Sequence, residues 1–337
     1  MTVTETIEGP AADGAEREHG RIPTGVVFPG QGAQKPGMGR AWIETPSWSL
    51  VGDISAWIGV DVAHLLLEAG ESELRRTDRA QLAVFTVGVL AHAEAVRLTA
   101  LGEVVGYAGH SLGEYTALYA SGAIGLREAA MLVAERGAAM LRAARRRPGA
   151  MAALVGEGSG TGGAEKLAQA CRDSGFGVWV ANLNGPGQVV LSGTEAAIAA
   201  VENRSAASGL RCVRLEVAGA FHSPLMAPAA RRLRRALSAT PFAPAHAPVV
   251  ANVDAQGHTD GAQWLNLMTA QLTSAVRWEE CVRTLADGLG ARRLVELGPG
   301  RTLSGLAARL DPPVPAASAN TPLRLAELAG PAARSVG

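Results

Sequence analysis

Two rhythms of apolar and polar positions run along this chain. Short apolar runs such as TGVVF at 24–28 stop abruptly at Pro-Gly or Gly, as buried strands feeding tight loops do. Longer alanine-rich stretches, nearly free of Gly and Pro, cover 78–99 and 126–147 and have helix length. This reading predicts strands at 24–28, 104–108, 151–155, 178–183, 188–192, 211–217, 248–253 and 293–296. It predicts helices at 78–99, from 112, and at 126–147, 164–173, 194–208, 224–238, 276–288 and from 303. Strands alternating with helices imply a largely parallel sheet covered on both faces. Between 149 and 217 the order becomes β-α-β-β-α-β, the ferredoxin-like arrangement. The expected organisation is therefore a polar, disordered leader over 1–22, a large α/β body from 23–148 and 218–310, a small subdomain inserted at 149–217, and a loosely packed tail over 311–337.

Composition narrows the class. Hydrophobic residues make up 47% of the 337, enough for a sizeable core. The formal net charge is zero, so no general electrostatic attraction to nucleic acid is expected. Cys171, Cys212 and Cys281 are odd in number and form no C-x-x-C pair, which argues against a disulfide framework or a zinc ribbon and fits a reducing cytoplasm. The start lacks a signal-peptide pattern and the apolar stretches are broken by charges, so no membrane span is expected.

One stretch carries chemistry. Gly109-His110-Ser111-Leu112-Gly113 is a G-x-S-x-G pattern between a predicted strand and a predicted helix. That context exposes a serine on a sharp turn, and the N–H of Leu112 is offered to a developing oxyanion. A serine hydroxyl also needs a base within reach. Of the seven histidines, His222 in GAFHSPLM lies just past a strand end, where site residues gather in open α/β sheets. His110 adjoins the serine and is expected to point away along the turn. His64 and His92 fall in helices and read as structural.

The motifs VVFPGQGAQ, AGHSLGEY, ERG at 135–137, NGPGQVVLSG, GAFHS and ELGPGRTLSGL occur in this order. Together, over 24–310, they closely resemble the malonyl-CoA:acyl carrier protein acyltransferases of fatty-acid and polyketide synthesis. The resemblance implies a large α/β-hydrolase-like body with a mostly parallel sheet and an inserted ferredoxin-like subdomain. It implies a Ser111–His222 dyad whose imidazole is held by the backbone carbonyl of Gln271 and not by an aspartate. The oxyanion hole would be the N–H groups of Gln31 and Leu112, with Gly30 keeping its loop tight. Arg136, 25 residues after Ser111, would bind the free carboxylate of malonate. From the residues alone, Arg136 reads instead as a helix-surface arginine paired with Glu135 or Glu128. Asn184 would lie near the cleft. Phe221 before the histidine would favour malonyl, because its ring fills the space of an α-methyl group.

The implied reaction is transfer of malonyl from malonyl-CoA, through malonyl-Ser111, to the phosphopantetheine thiol of an acyl carrier protein. The short leader and the single catalytic unit lead to an expectation of a discrete, trans-acting polyketide synthase acyltransferase. Such a protein would be cytoplasmic and monomeric, with no permanently bound cofactor, no metal, no nucleic acid and no membrane. The alternatives are a proofreading acyl-thioester hydrolase, or an acyltransferase for another carboxylated unit such as methylmalonyl. The basic runs Arg142, Arg145, Arg146, Arg147 and Arg231, Arg232, Arg234, Arg235 are candidate faces for an acidic carrier protein.

Overall fold

The computed structural model describes residues 22–156, 160–207 and 210–330. The expected leader lies outside them except for Ile22. Ten strands follow in chain order: β1 Pro23–Phe28, β2 Glu103–Gly109, β3 Gly149–Val155, β4 Val178–Gly185, β5 Gln188–Thr194, β6 Arg211–Arg214, β7 Val249–Val250, β8 Gly257–His258, β9 Arg293–Leu297 and β10 Ala316–Ala319. Six form one sheet in the order β10-β9-β1-β2-β7-β8. Every pairing in it is parallel except β7 with β8. The other four form a separate antiparallel sheet in the order β4-β5-β3-β6. With the helices Thr161–Asp173 and Glu195–Ala207 this is the ferredoxin-like arrangement expected for the insertion.

Burial follows the pleat. On β1, Val26 and Phe28 enter one apolar cluster and Val27 enters the other, on the opposite face of the sheet. Sandwiching the sheet this way explains why TGVVF reads as an unbroken apolar run. The first cluster joins β1 to the helices Thr77–Arg97, Leu126–Arg146 and Ala227–Ser238. The small sheet alternates likewise. Ala150, Ala152 and Leu154 pack with its own helices, while Met151 and Ala153 join the cluster of the body. The small sheet is also tied by backbone to the segment before the Trp278–Arg283 helix of the body, Leu183 N to Val276 O at 2.8 Å and Val276 N to Ala181 O at 2.9 Å.

Several expectations change. Residues 311–330 are not a loose tail: β10 adds an edge strand beside β9, and the Pro322–Ala329 helix docks through the fully buried Leu325. Its Ala- and Pro-rich composition hid a strand that needs only small side chains at the sheet edge. The strand expected at 211–217 stops at Arg214, and that at 248–253 shrinks to Val249–Val250. The helix expected at 276–288 divides into an α segment, Trp278–Arg283, and a π turn, Thr284–Gly288. Short helices at Ser49–Ile58, Val62–Leu67 and Glu71–Leu74 were not anticipated at all. Among the described residues no helix is long and apolar enough to cross a membrane.

Candidate active site

The site forms where β1 and β2 end. Strand β2 stops at Gly109, and the Gly113–Ala120 helix begins four residues later. Between them Ser111 adopts a left-handed backbone, φ 53°. This turn exists only because both glycines lack a Cβ: one on Gly109 would sit 1.9 Å from the carbonyl carbon of Gly113, and one on Gly113 would sit 2.1 Å from the Phe28 oxygen. Asn252 pins the turn from the side. Its Oδ1 accepts from Ser111 N at 2.8 Å and its Nδ2 donates to Gly109 O at 2.7 Å.

His222 comes from the chain leaving the small sheet, and its backbone is also left-handed, φ 56°. Two strained residues meeting at one point mark a place where geometry is fixed by its surroundings. His222 Nδ1 faces two carbonyls, Gln271 O at 2.9 Å and Ser274 O at 3.2 Å. Carbonyls only accept, so the proton resides on Nδ1 and Nε2 is left as an acceptor. Nε2 lies 2.7 Å from Ser111 Oγ. Burial, and then the charge of Arg136, push the imidazole down to about 3, so it stays neutral at physiological pH with its Nε2 lone pair free to accept.

Arg136 projects inward from the Leu126–Arg146 helix and is 1% exposed. Its Nη1 donates to Gln81 Oε1 at 2.7 Å, and its Nη2 to both Ser111 Oγ and Gln271 Oε1 at 3.0 Å. The guanidinium carbon stands 5.5 Å from the centre of the Tyr115 ring. Neither Glu135 nor Glu128 pairs with it. Glu135 is engaged by Arg232 and, at 3.7 Å, by Arg142. Among the described residues Arg136 therefore makes no ion pair, and its Nε is buried without a hydrogen-bond partner.

Gly30 and Gln31 follow β1 and line the same cleft. A Cβ on Gly30 would lie 2.4 Å from the His110 carbonyl oxygen, so the two turns can touch only with glycine there. The backbone N–H groups of Gln31 and Leu112 donate to no protein acceptor among the described residues. The cleft is about 260 Å³ and lies between the body and the small sheet. Ser111, Arg136, His222, Phe221 and Asn184 all line it, with Met151 and Ala153 from β3 opposite. The Leu112 side chain and that of Gln271 are buried behind it.

Four residues of the site were not read from the sequence. His110 does not point away: its ring lines the cleft and its Nε2 meets Asn184 Oδ1 at 2.9 Å. Gln81 and Asn252 carry no local signature and matter only through contacts made across long separations. Glu114, inside the GHSLGEY motif, is 1% exposed and holds Gln271 and Asn252. The arginine runs are exposed helix faces; Arg146, Arg231, Arg232 and Arg235 border a separate groove of about 1160 Å³ that shares no lining residue with the cleft.

Residues 26–311 match the acyl transferase domain family. A malonyl CoA-acyl carrier protein transacylase of Bacillus subtilis is 36% identical over 292 residues, spanning 85% of this chain and 89% of the relative. The chain belongs to the malonyl-CoA:acyl carrier protein transacylase family. The transacylase of Escherichia coli K12 is 34% identical over 89% of this chain and 96% of its own. The crystal structure of FabD from Acinetobacter baumannii superposes with a TM-score of 0.85 at 33% identity, covering 94% of this chain and 99% of that one. A malonyl-transacylase solved in complex with its type II polyketide synthase acyl-carrier protein gives 0.84 at 32% identity, covering 90% and 97%. The family's large body and small subdomain are thus the architecture found here.

Proposed function

We propose that this chain moves a malonyl group from malonyl-CoA onto Ser111 and then to the phosphopantetheine thiol of an acyl carrier protein. One observation carries this reading beyond acyl transfer in general. A buried arginine with only neutral hydrogen-bond partners stands within 3.0 Å of the nucleophile. An unpaired buried cation is costly, and an acyl group that brings its own carboxylate removes the cost. Malonyl does so and acetyl does not.

In the first half-reaction His222 Nε2 takes the proton of Ser111 Oγ as the oxygen bonds to the thioester carbon. The carbonyl oxygen gathers the charge and accepts from the N–H groups of Gln31 and Leu112. The carbon–sulfur bond breaks, and the leaving CoA sulfur takes the proton back from His222. In the second, the pantetheine thiol gives its proton to His222 and attacks the malonyl-serine ester. Ser111 Oγ leaves and recovers that proton. The carbonyl of Gln271 keeps the imidazole in the one tautomer that can do both. Malonyl-CoA is the substrate, and phosphopantetheine arrives on the carrier.

Incubation with malonyl-CoA, with and without carrier protein, tests the proposal. Carrier loading is expected, with little free malonate before the carrier is added. Rapid malonate release and no carrier loading would identify a hydrolase instead.

A further inference from the structure

Behind the dyad lies a carboxylate that touches neither the nucleophile nor the base. Glu114 sits in the first turn of the Gly113–Ala120 helix, three residues after Ser111, and is 1% exposed. Its Oε2 accepts from Gln271 Nε2 and its Oε1 accepts from the backbone N of Asn252 at 3.2 Å. Gln271 Nε2 also donates to the Ser111 carbonyl at 2.8 Å. With its NH2 group committed to these two acceptors, the Gln271 amide has one remaining face, Oε1, and that face meets Arg136 Nη2. A flipped amide would set N–H against guanidinium N–H.

We propose that Glu114 is a positioning residue for substrate choice: by fixing which way the Gln271 amide faces, it holds the Arg136 guanidinium where a substrate carboxylate meets it. This rests on the reading of Arg136 as the carboxylate binder. The contact requires an acceptor at both oxygens of residue 114. A glutamine there has the same shape but only one acceptor, so either Asn252 N–H or Gln271 Nε2 loses its partner. Burial pushes the Glu114 carboxyl up to about 8, against the pull of its two N–H donors and of the Arg136 charge. Both oxygens nevertheless receive donors, the geometry a carboxylate requires.

The experiment compares loading of malonyl-CoA and acetyl-CoA by wild type, Glu114→Gln, Arg136→Ala and the double variant, with melting temperature as the check on folding. A general loosening of the serine turn slows both substrates alike and leaves their ratio unchanged. Loss of arginine alignment lowers the malonyl-to-acetyl ratio, by about 10-fold or more for one unsatisfied buried donor, and does so through KM for malonyl-CoA. On the Arg136→Ala background the same substitution should shift the ratio little, because its target is gone. Gln271→Met removes the same contact from the other side while keeping the backbone carbonyl that His222 uses, and it decides the matter where Glu114→Gln gives no folded protein. An unchanged ratio in a folded variant overturns the inference and leaves the proposed function standing. A wild type with no preference for malonyl overturns both.

Discussion

Arg136 Nη2 lies 3.0 Å from the hydroxyl oxygen of Ser111, although one residue sits on the Leu126–Arg146 helix and the other in the turn after β2. The serine oxygen thus accepts from a cation on one side while facing His222 Nε2 on the other. On the proposed role of Arg136, substrate choice and nucleophile activation would share this contact: an incoming carboxylate would compete for the same guanidinium and redistribute the hydrogen bonds around the attacking oxygen.

Replacing Arg136 by alanine should therefore cost malonyl loading far more than acetyl loading. Breaking a buried charge interaction by removing one partner costs about 3–5 kcal/mol. That corresponds to roughly two to three decades in relative rate. Steady-state loading with each acyl-CoA measures the ratio. An unchanged preference for malonyl would remove Arg136 from the account.

The same variant should move the pH profile. His222 is held down to about 3, first by burial and second by the positive charge of Arg136. A cation beside an imidazole disfavours its protonated form, so removing that cation raises the pKa. The base is active when neutral, hence loading should fall on the acid side and that limb should shift to higher pH in Arg136→Ala. Acetyl-CoA is the substrate to use, since it has no carboxylate of its own beside the thioester. The stability sign runs the same way. A histidine whose folded value lies below its ordinary 6.5 contributes stability present above 6.5 and lost as pH falls toward 3.

Phe221 is 5% exposed and lines the cleft directly before the base. Phe221→Ser opens room beside the acyl group. The ratio of methylmalonyl to malonyl loading should rise, by about 1–3 kcal/mol or roughly 10- to 200-fold for the space of a methyl group. Competition between the two acyl-CoAs reads this directly, and an unaltered ratio would assign Phe221 to packing alone.

The turn that carries the serine should tolerate no added atom. A Cβ on Gly113 would overlap the Phe28 carbonyl, which belongs to the central strand and cannot swing aside. Gly113→Ala should cost about 3 kcal/mol or more, at the upper end of overpacking. Thermal melting checks it, and a melting temperature within a degree or two of wild type would contradict the overlap.

What the sequence disclosed follows from how local each signal is. The buried run of β1, the long helices and the β-α-β-β-α-β insertion are written in apolar rhythm, and rhythm is legible. Ser111, His222 and Arg136 became legible through motifs in a fixed order. Composition misled at 311–330, where small residues formed an edge strand with no bulky β-formers to announce it. His110 was misjudged because its partner, Asn184, lies on the small sheet 74 residues away. Glu114, Gln81 and Asn252 act through contacts that span 55 to 157 residues, and no window of sequence displays those.

The central claim is that Ser111 carries malonyl on its way to a carrier protein. Intact-mass measurement of the protein after exposure to a mixture of acyl-CoAs, followed by addition of holo acyl carrier protein, tests it most directly. A single malonyl adduct is expected, absent in Ser111→Ala and moving to the carrier when it is added. An adduct that persists in Ser111→Ala, or one that leaves as free malonate while the carrier stays unloaded, would contradict it.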